Sequence, residues 1–298
     1  TLFPYTTLFR SITYFLSKLF LPLDGKLWKL RTTNSVGSAA IQADFSNDNH
    51  ISFDFNVNSK TAGISNLKLD KTISSPVFIP PKEVLSFMKG FSSLYEKYDL
   101  TFDKTYYDII SLLNLPEVRK EHIQEKANWA IEKIEKICGG RFIFQAGGNV
   151  IFKTNDTDYS VNAIAEGFRK IGMLSQLLKT GAIEPGISGP LLWDEPEANM
   201  NPKLLKFIVQ VLIELSRNGQ QIIVSTHDYV VLKWFDSLIE KGKDDHIVYH
   251  VLHKDINSNN MIVTSTENYQ SITPNAISDT YNEITDFSIS NTMGDLGK

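Results

Sequence analysis

The chain has 298 residues, 42% of them apolar and 21% charged, which allows a sizeable core arranged as one large or two modest domains. A formal charge of -4 leaves no bulk electrostatic footprint for nucleic acid, although counting charges does not map a local basic stripe. No apolar run is long enough to span a bilayer, and the lone Cys138 forms no internal disulfide, so a reducing cytoplasm is the expected compartment.

Thr1 to Ser11, TLFPYTTLFRS, reads as the translation of a common sequencing-library adapter. These residues are expected to be an artefact with no part in fold or function, the alternative being a natural aromatic strand. Ile12 to Leu23 carries Lys18 and is too short to cross a membrane. Ile41 to Leu69 alternates apolar and polar residues between Asn-rich breaks, predicting antiparallel strands, and Val77-Phe78-Ile79 reads as a short strand stopped by Pro80-Pro81. Lys82 to Tyr98 and Pro116 to Cys138 turn helical, the second with Ile123, Ala127, Ala130, Ile131, Ile134 and Ile137 on its apolar face. Together they predict a compact helical subdomain. Cys138, ahead of Gly139-Gly140, reads as a packed helix end rather than a nucleophile. RFIFQ and NVIFK flank Gly147-Gly148 and predict a hairpin.

Ala165 to Lys170, AEGFRK, opens a helix with Phe168, Ile171, Leu174, Leu177 and Leu178 on one face and Gly181 after its end. Free backbone N–H groups at such a start favour phosphate oxygens, and Gly167 permits close approach. Pro190 to Trp193 then reads as a buried parallel strand delivering Asp194 and Glu195 to its carboxyl edge, where open α/β sheets bind ligands. Successive positions alternate in direction, so one acid can serve a metal while the other faces a water. Asn201 and Pro202 start a helix with an apolar stripe through Leu204, Leu205, Ile208, Val209, Leu212 and Leu215, closed by Gly219. Gln221 to Ser225 supply the next strand, ending in Thr226, His227 and Asp228, the last placed to cap a helix over Asp228 to Lys241. His246 to Lys254 and Asn260 to Thr266 read as strands, and the tail after Pro274 as one helix. His246, His250 and His253 are read as packing or surface residues, because His253 faces away from the other two and no cysteine pair completes a metal site.

The run WDEPEANMNP followed by the Ser-Thr-His end of the next strand resembles the ATP-binding-cassette type ATPase heads of transporters, SMC and RecF-like DNA proteins and bacterial AAA-annotated ATPases. Ile79 to Ile110 also looks like the middle of one AAA-annotated family in that group. The resemblance implies an α/β P-loop NTPase fold of ABC-ATPase type, ATP and Mg²⁺ as cofactors, and a head-to-tail homodimer formed through ATP. Carried over, Asp194 holds Mg²⁺ through water, Glu195 orients and deprotonates the attacking water, and His227 contacts the γ-phosphate. Asn199 and Asn201 belong to the loop that borders nucleotide, and Ala165, Glu166 and Gly167 form the signature turn facing the opposing subunit's γ-phosphate. Ala165 stands where a serine hydroxyl is usual, so that contact is expected to be absent or replaced by Arg169 or Lys170.

No G-x-x-x-x-G-K-[ST] phosphate loop occurs anywhere: Asn34 to Ser38 lacks the lysine, and Gly147-Gly148 is no substitute. With the adapter reading, the expectation is a head truncated before Ile12. Its expected divisions are the artefact 1–11, a strand-rich remnant 12–80, the helical subdomain 81–140, the signature-to-histidine part 141–270 and a helical tail 271–298. The biological task stays open between a DNA-repair or anti-phage defence ATPase acting with a nuclease or nucleic acid and a nonhydrolysing nucleotide-sensing scaffold. A transporter head is less favoured.

Overall fold

The computed structural model describes residues 5–31, 37–57, 62–69, 74–98, 100–119, 121, 123, 125–255 and 260–293. Residues 1–4 of the adapter-like run, 34–36 of the Asn34 to Ser38 run and 294–298 of the tail lie outside them. Residues Tyr5 to Ser11 of the adapter-like run belong to a helix, α1 (Tyr5–Phe20), and not to the strand weighed as the alternative.

The alternating segment forms a meander of β1 (Ala39–Asp44), β2 (His50–Phe55) and β3 (Gly63–Lys68), antiparallel throughout as its period-two pattern predicts. Phe53 and Phe55 of β2 pack with Leu16 of α1, Leu27 and Ala62 into a small core of their own. The main core is separate and continuous from Val77 to Val231.

That main core is built on a parallel sheet of β4 (Val77–Ile79), β8 (Leu191–Asp194) and β9 (Ile222–Ser225), in the order β4-β8-β9. Two further sheets are separate from it: the antiparallel β5 (Arg141–Gln145), β6 (Asn149–Lys153) and β7 (Asp158–Ser160), which fall between β4 and β8 in the chain, and the hairpin β10 (Tyr249–Lys254) with β11 (Met261–Thr266), which follows β9. The β5–β6 connection is the expected hairpin, its Gly147 and Gly148 both left-handed at φ 78° and 77°. The longest buried stretch is α5 (Glu166–Lys179), which packs on β5 and on α3 (Lys104–Leu113) and α4 (Glu125–Cys138). Helix α6 (Pro202–Arg217) packs on α4 and on α7 (Tyr229–Leu238), and Tyr229 stacks on Tyr281 of α8 (Ala276–Met293) at 4.0 Å.

Several boundaries differ from the expected ones. Only Phe91–Lys97 (α2) of the run from Lys82 to Tyr98 is helical. Pro80-Pro81 force an extended entry and Gly90 sits at φ 73°, so Val84, Leu85 and Met88 reach the core from turns instead of a helix face. The helix expected from Pro116 begins at Glu125; Val118 is held outside it by its N–H to the Lys179 carbonyl, 2.9 Å. Ile137 lies 37% exposed, so the buried face of α4 ends at Ile134. Helix α7 stops at Leu238 rather than Lys241, and β10 begins at Tyr249 rather than His246, whose imidazole pairs with Glu267 at 3.1 Å.

Candidate functional site

Strands β8 and β9 run side by side, and their carboxyl ends deliver the candidate residues. Trp193 anchors β8 at 1% exposure, and the next position, Asp194, is paired in register with Ser225 of β9. The Ser225 hydroxyl donates to Asp194 Oδ1, so a carboxylate and a hydroxyl converge at this edge. Both are hard oxygen donors of the kind Mg²⁺ prefers, and they fit that ion.

Beyond Asp194 the chain turns sharply: Glu195 has φ 45°, a left-handed backbone that a side chain disfavours. Three contacts impose it. The Glu195 N–H donates to the Ser225 carbonyl at 3.0 Å, and the Glu195 carbonyl accepts from Ala198 N–H at 3.0 Å and from the Lys170 ammonium at 3.1 Å. Lys170 is fully buried, and loss of hydration holds its pKa below the ordinary lysine value, opposed by the charges of Glu166, Glu197, Glu195 and Glu83.

His227 follows β9 with its ring 72% exposed and its Nδ1 3.3 Å from Glu195 Oε1, so β8 and β9 bring these two candidates together. Glu197, which sequence reading passed over, sits beneath them. Its Oε1 accepts the Thr226 hydroxyl at 2.7 Å and the His227 N–H at 3.1 Å. The only sequence signal for it was a further acid one place past Pro196.

The signature turn meets the loop after β8 within the same chain. Ala165 is the residue before α5 and makes no side-chain cap; Glu166 Oε1 accepts from Asn199 Nδ2 at 2.9 Å. Gly167 is buried, and a Cβ there would lie 3.3 Å from Met200 Cγ, so the glycine admits this chain's own loop. Asn201 caps α6 by accepting the Lys203 N–H at 3.0 Å, with Pro202 at the first helical position. Neither cation expected to replace the signature hydroxyl is free for that task. Arg169 is paired with Glu83 at 2.9 Å and donates to the Ile164 carbonyl, and Lys170 points inward to Glu195.

Elsewhere, burial with a contribution from Glu135 pushes the Cys138 thiol up to about 12, the environment of an inert helix-end cysteine. Among the described residues no group of three His, Cys, Asp or Glu could hold a metal on its own. None of their helices is long and apolar enough to cross a membrane.

Residues 148–233, which carry α5, β8, β9 and the start of α7, match the family described as "AAA domain, putative AbiEii toxin, Type IV TA system". Among solved structures, an SmcHead bound to the C-winged helix domain of ScpA superposes with a TM-score of 0.51 at 12% identity, covering 89% of this chain and 87% of that one. The chain has the fold of an ABC/SMC-like ATPase head. A second SMC head domain, from Thermotoga maritima, is similar at a TM-score of 0.42 and 13% identity over 78% of this chain and 75% of its own. No curated protein matches this chain. The matched family segment contains Asp194, Glu195, Glu197 and His227.

Proposed function

We propose that this head hydrolyses ATP, with Asp194 serving Mg²⁺ and Glu195 taking the proton of the attacking water. His227 contacts the γ-phosphate. The observation that carries the reading is the 3.3 Å approach of His227 to Glu195, beside Asp194, at the carboxyl ends of adjacent parallel strands. Asp194, with the Ser225 hydroxyl beside it, would hold Mg²⁺ through water, and the ion would supply charge neutralisation at the phosphates. An imidazole N–H at the γ-phosphate stabilises the charge that builds as the phosphoryl group transfers. The head works as an ATP-dependent head-to-tail dimer, in which Ala165, Glu166 and Gly167, with Asn199 and Asn201 next to them, complete the partner's site. Helix N-termini suit phosphate oxygens, which supports that role for the start of α5.

The test is single-turnover hydrolysis and size-exclusion chromatography with Mg-ATP on the full-length protein. Glu195→Gln keeps shape but removes the proton acceptor, so hydrolysis should fall roughly 10²-fold or more while the variant accumulates as an ATP-bound dimer. Asp194→Asn should instead weaken Mg²⁺-dependent binding itself. A Glu195→Gln enzyme turning over at the parental rate would remove Glu195 as the base. ATP-dependent dimerisation of the parental protein without any turnover would point to a nucleotide-sensing scaffold.

A second reading concerns the task. The family matching 148–233 is described by a toxin of a type IV toxin–antitoxin system, which favours a defence role with a nuclease or toxin partner. Turnover stimulated by DNA or by such a partner would support it; turnover indifferent to both would count against it.

A further inference from the structure

Glu197 is a carboxylate to which the reading above assigns no task. Its side chain is 7% exposed, in the loop between β8 and α6. One oxygen, Oε1, is filled twice, by the Thr226 hydroxyl at 2.7 Å and the His227 N–H at 3.1 Å, while the buried Oε2 has no hydrogen-bond partner. A buried carboxylate oxygen without a donor is costly, so packing alone does not account for this side chain. The two filled bonds tie the loop carrying Glu195 to the strand end carrying His227. They also leave the His227 Nδ1 3.7 Å from Glu197 Oε1 and 3.3 Å from Glu195 Oε1.

We propose that Glu197 is a positioning residue that clamps the Thr226-His227 turn so that the imidazole faces Glu195. His227 is 72% exposed, so few contacts hold its ring and the backbone at the strand end sets where the ring is anchored and which rotamers bring it to Glu195. Glu197 fixes it through acceptor bonds to a hydroxyl and an amide. A glutamine Oε1 accepts the same two bonds; an alanine accepts neither. The inference rests on the reading of Glu195 and His227 as base and γ-phosphate contact.

The experiment combines steady-state kinetics on the full-length protein with NMR of the ring Cε1–H signals of histidine. Glu197→Ala should lower kcat about 10–100-fold with KM for Mg-ATP within about threefold, the scale expected when a reacting group is misplaced without loss of binding. Glu197→Gln should stay within about threefold of the parent, and Thr226→Val, which removes one of the two bonds, should fall between them. Because Glu197 acts through His227, Glu197→Ala with His227→Ala should be no slower than His227→Ala alone. The His227 ring signal should move in Glu197→Ala and stay in place in Glu197→Gln, with the other histidine signals reporting an intact fold. The proposal is overturned if the glutamine variant is as slow as the alanine one, if the double variant loses the full extra factor, or if the His227 signal ignores Glu197→Ala. If His227→Ala itself turns over at the parental rate, the ATPase site reading fails, while the ring signal still decides whether Glu197 holds the turn. Should Glu197→Ala not fold, Thr226→Val and Glu197→Gln decide by the same two readouts.

Discussion

Lys170 is costly to keep charged, since it is fully buried and desolvation lowers its pKa. Its ammonium answers one local need, the carbonyl of a residue held at φ 45°. Swapping a whole buried ion pair for apolar groups can be neutral, but removing Lys170 alone leaves the Glu195 carbonyl without this donor and the surrounding carboxylates without the cation that offsets them, so Lys170→Met should be less stable than the parent in urea at pH 7 by about 1–3 kcal/mol. The pH dependence has a definite sign. With the folded pKa below the unfolded one, both states carry the proton at neutral pH and the fold bears the full cost of the buried charge. That cost fades as pH rises from the folded value towards 10.5, so the parent gains stability there and the deficit of the methionine variant should widen in alkali. A methionine variant as stable as the parent at pH 7 would show that desolvation outweighs the carbonyl bond and the surrounding carboxylates.

At the scale of elements, α5 is the piece on which the site depends. It carries Lys170 under Glu195 and Glu166 against Asn199, and it is held in place from the other side by the β5–β7 sheet. The contact is close because Gly172 has no side chain: a Cβ there would lie 2.5 Å from Phe142 Cδ2, and Phe142 is itself wedged against Phe152 with ring centroids 4.8 Å apart. Gly172→Ala should therefore cost about 1–3 kcal/mol, the usual range for overpacking a well-packed core, measured by thermal or urea unfolding. An unchanged midpoint would mean that the sheet shifts freely relative to α5. The helix itself was legible in the sequence, because Ile171, Leu174, Leu177 and Leu178 recur at helical spacing; the phenylalanine opposite the glycine was not, since they lie 30 positions apart.

Across the whole molecule, the strand-end site combines an acid pair, a histidine and a helix start, but the chain contains no G-x-x-x-x-G-K-[ST] run. Backbone N–H groups and the lysine of such a loop supply most phosphate contacts, so this chain should bind Mg-ATP with a Kd weaker than roughly micromolar by calorimetry. Micromolar binding would reveal a phosphate cradle of another kind and would reopen the roles given to Asp194 and His227. The molecule also has two separate cores, one joining α1 to the meander and one from Val77 to Val231. Every candidate residue lies in the segment that builds the second, between Ala165 and His227.

What the sequence determined by itself was local. The short apolar run before Asp194, the Asn201-Pro202 helix start and the capping Asp228 each depend on neighbours within a few positions, and each falls where expected. Periodicity failed between Lys82 and Gly90, where proline and a left-handed glycine turned a helix-like pattern into turns that bury the same residues. Only tertiary structure decided the partners of the site. That Arg169 is spent on Glu83, that Lys170 supports Glu195, and that Glu197 reaches the Thr226-His227 turn all depend on residues 25 or more positions apart meeting at one sheet edge. Spacing along a chain does not encode such meetings. The burial of a charge, and the need to fill its hydrogen bonds, arises only once the strands and helices have packed.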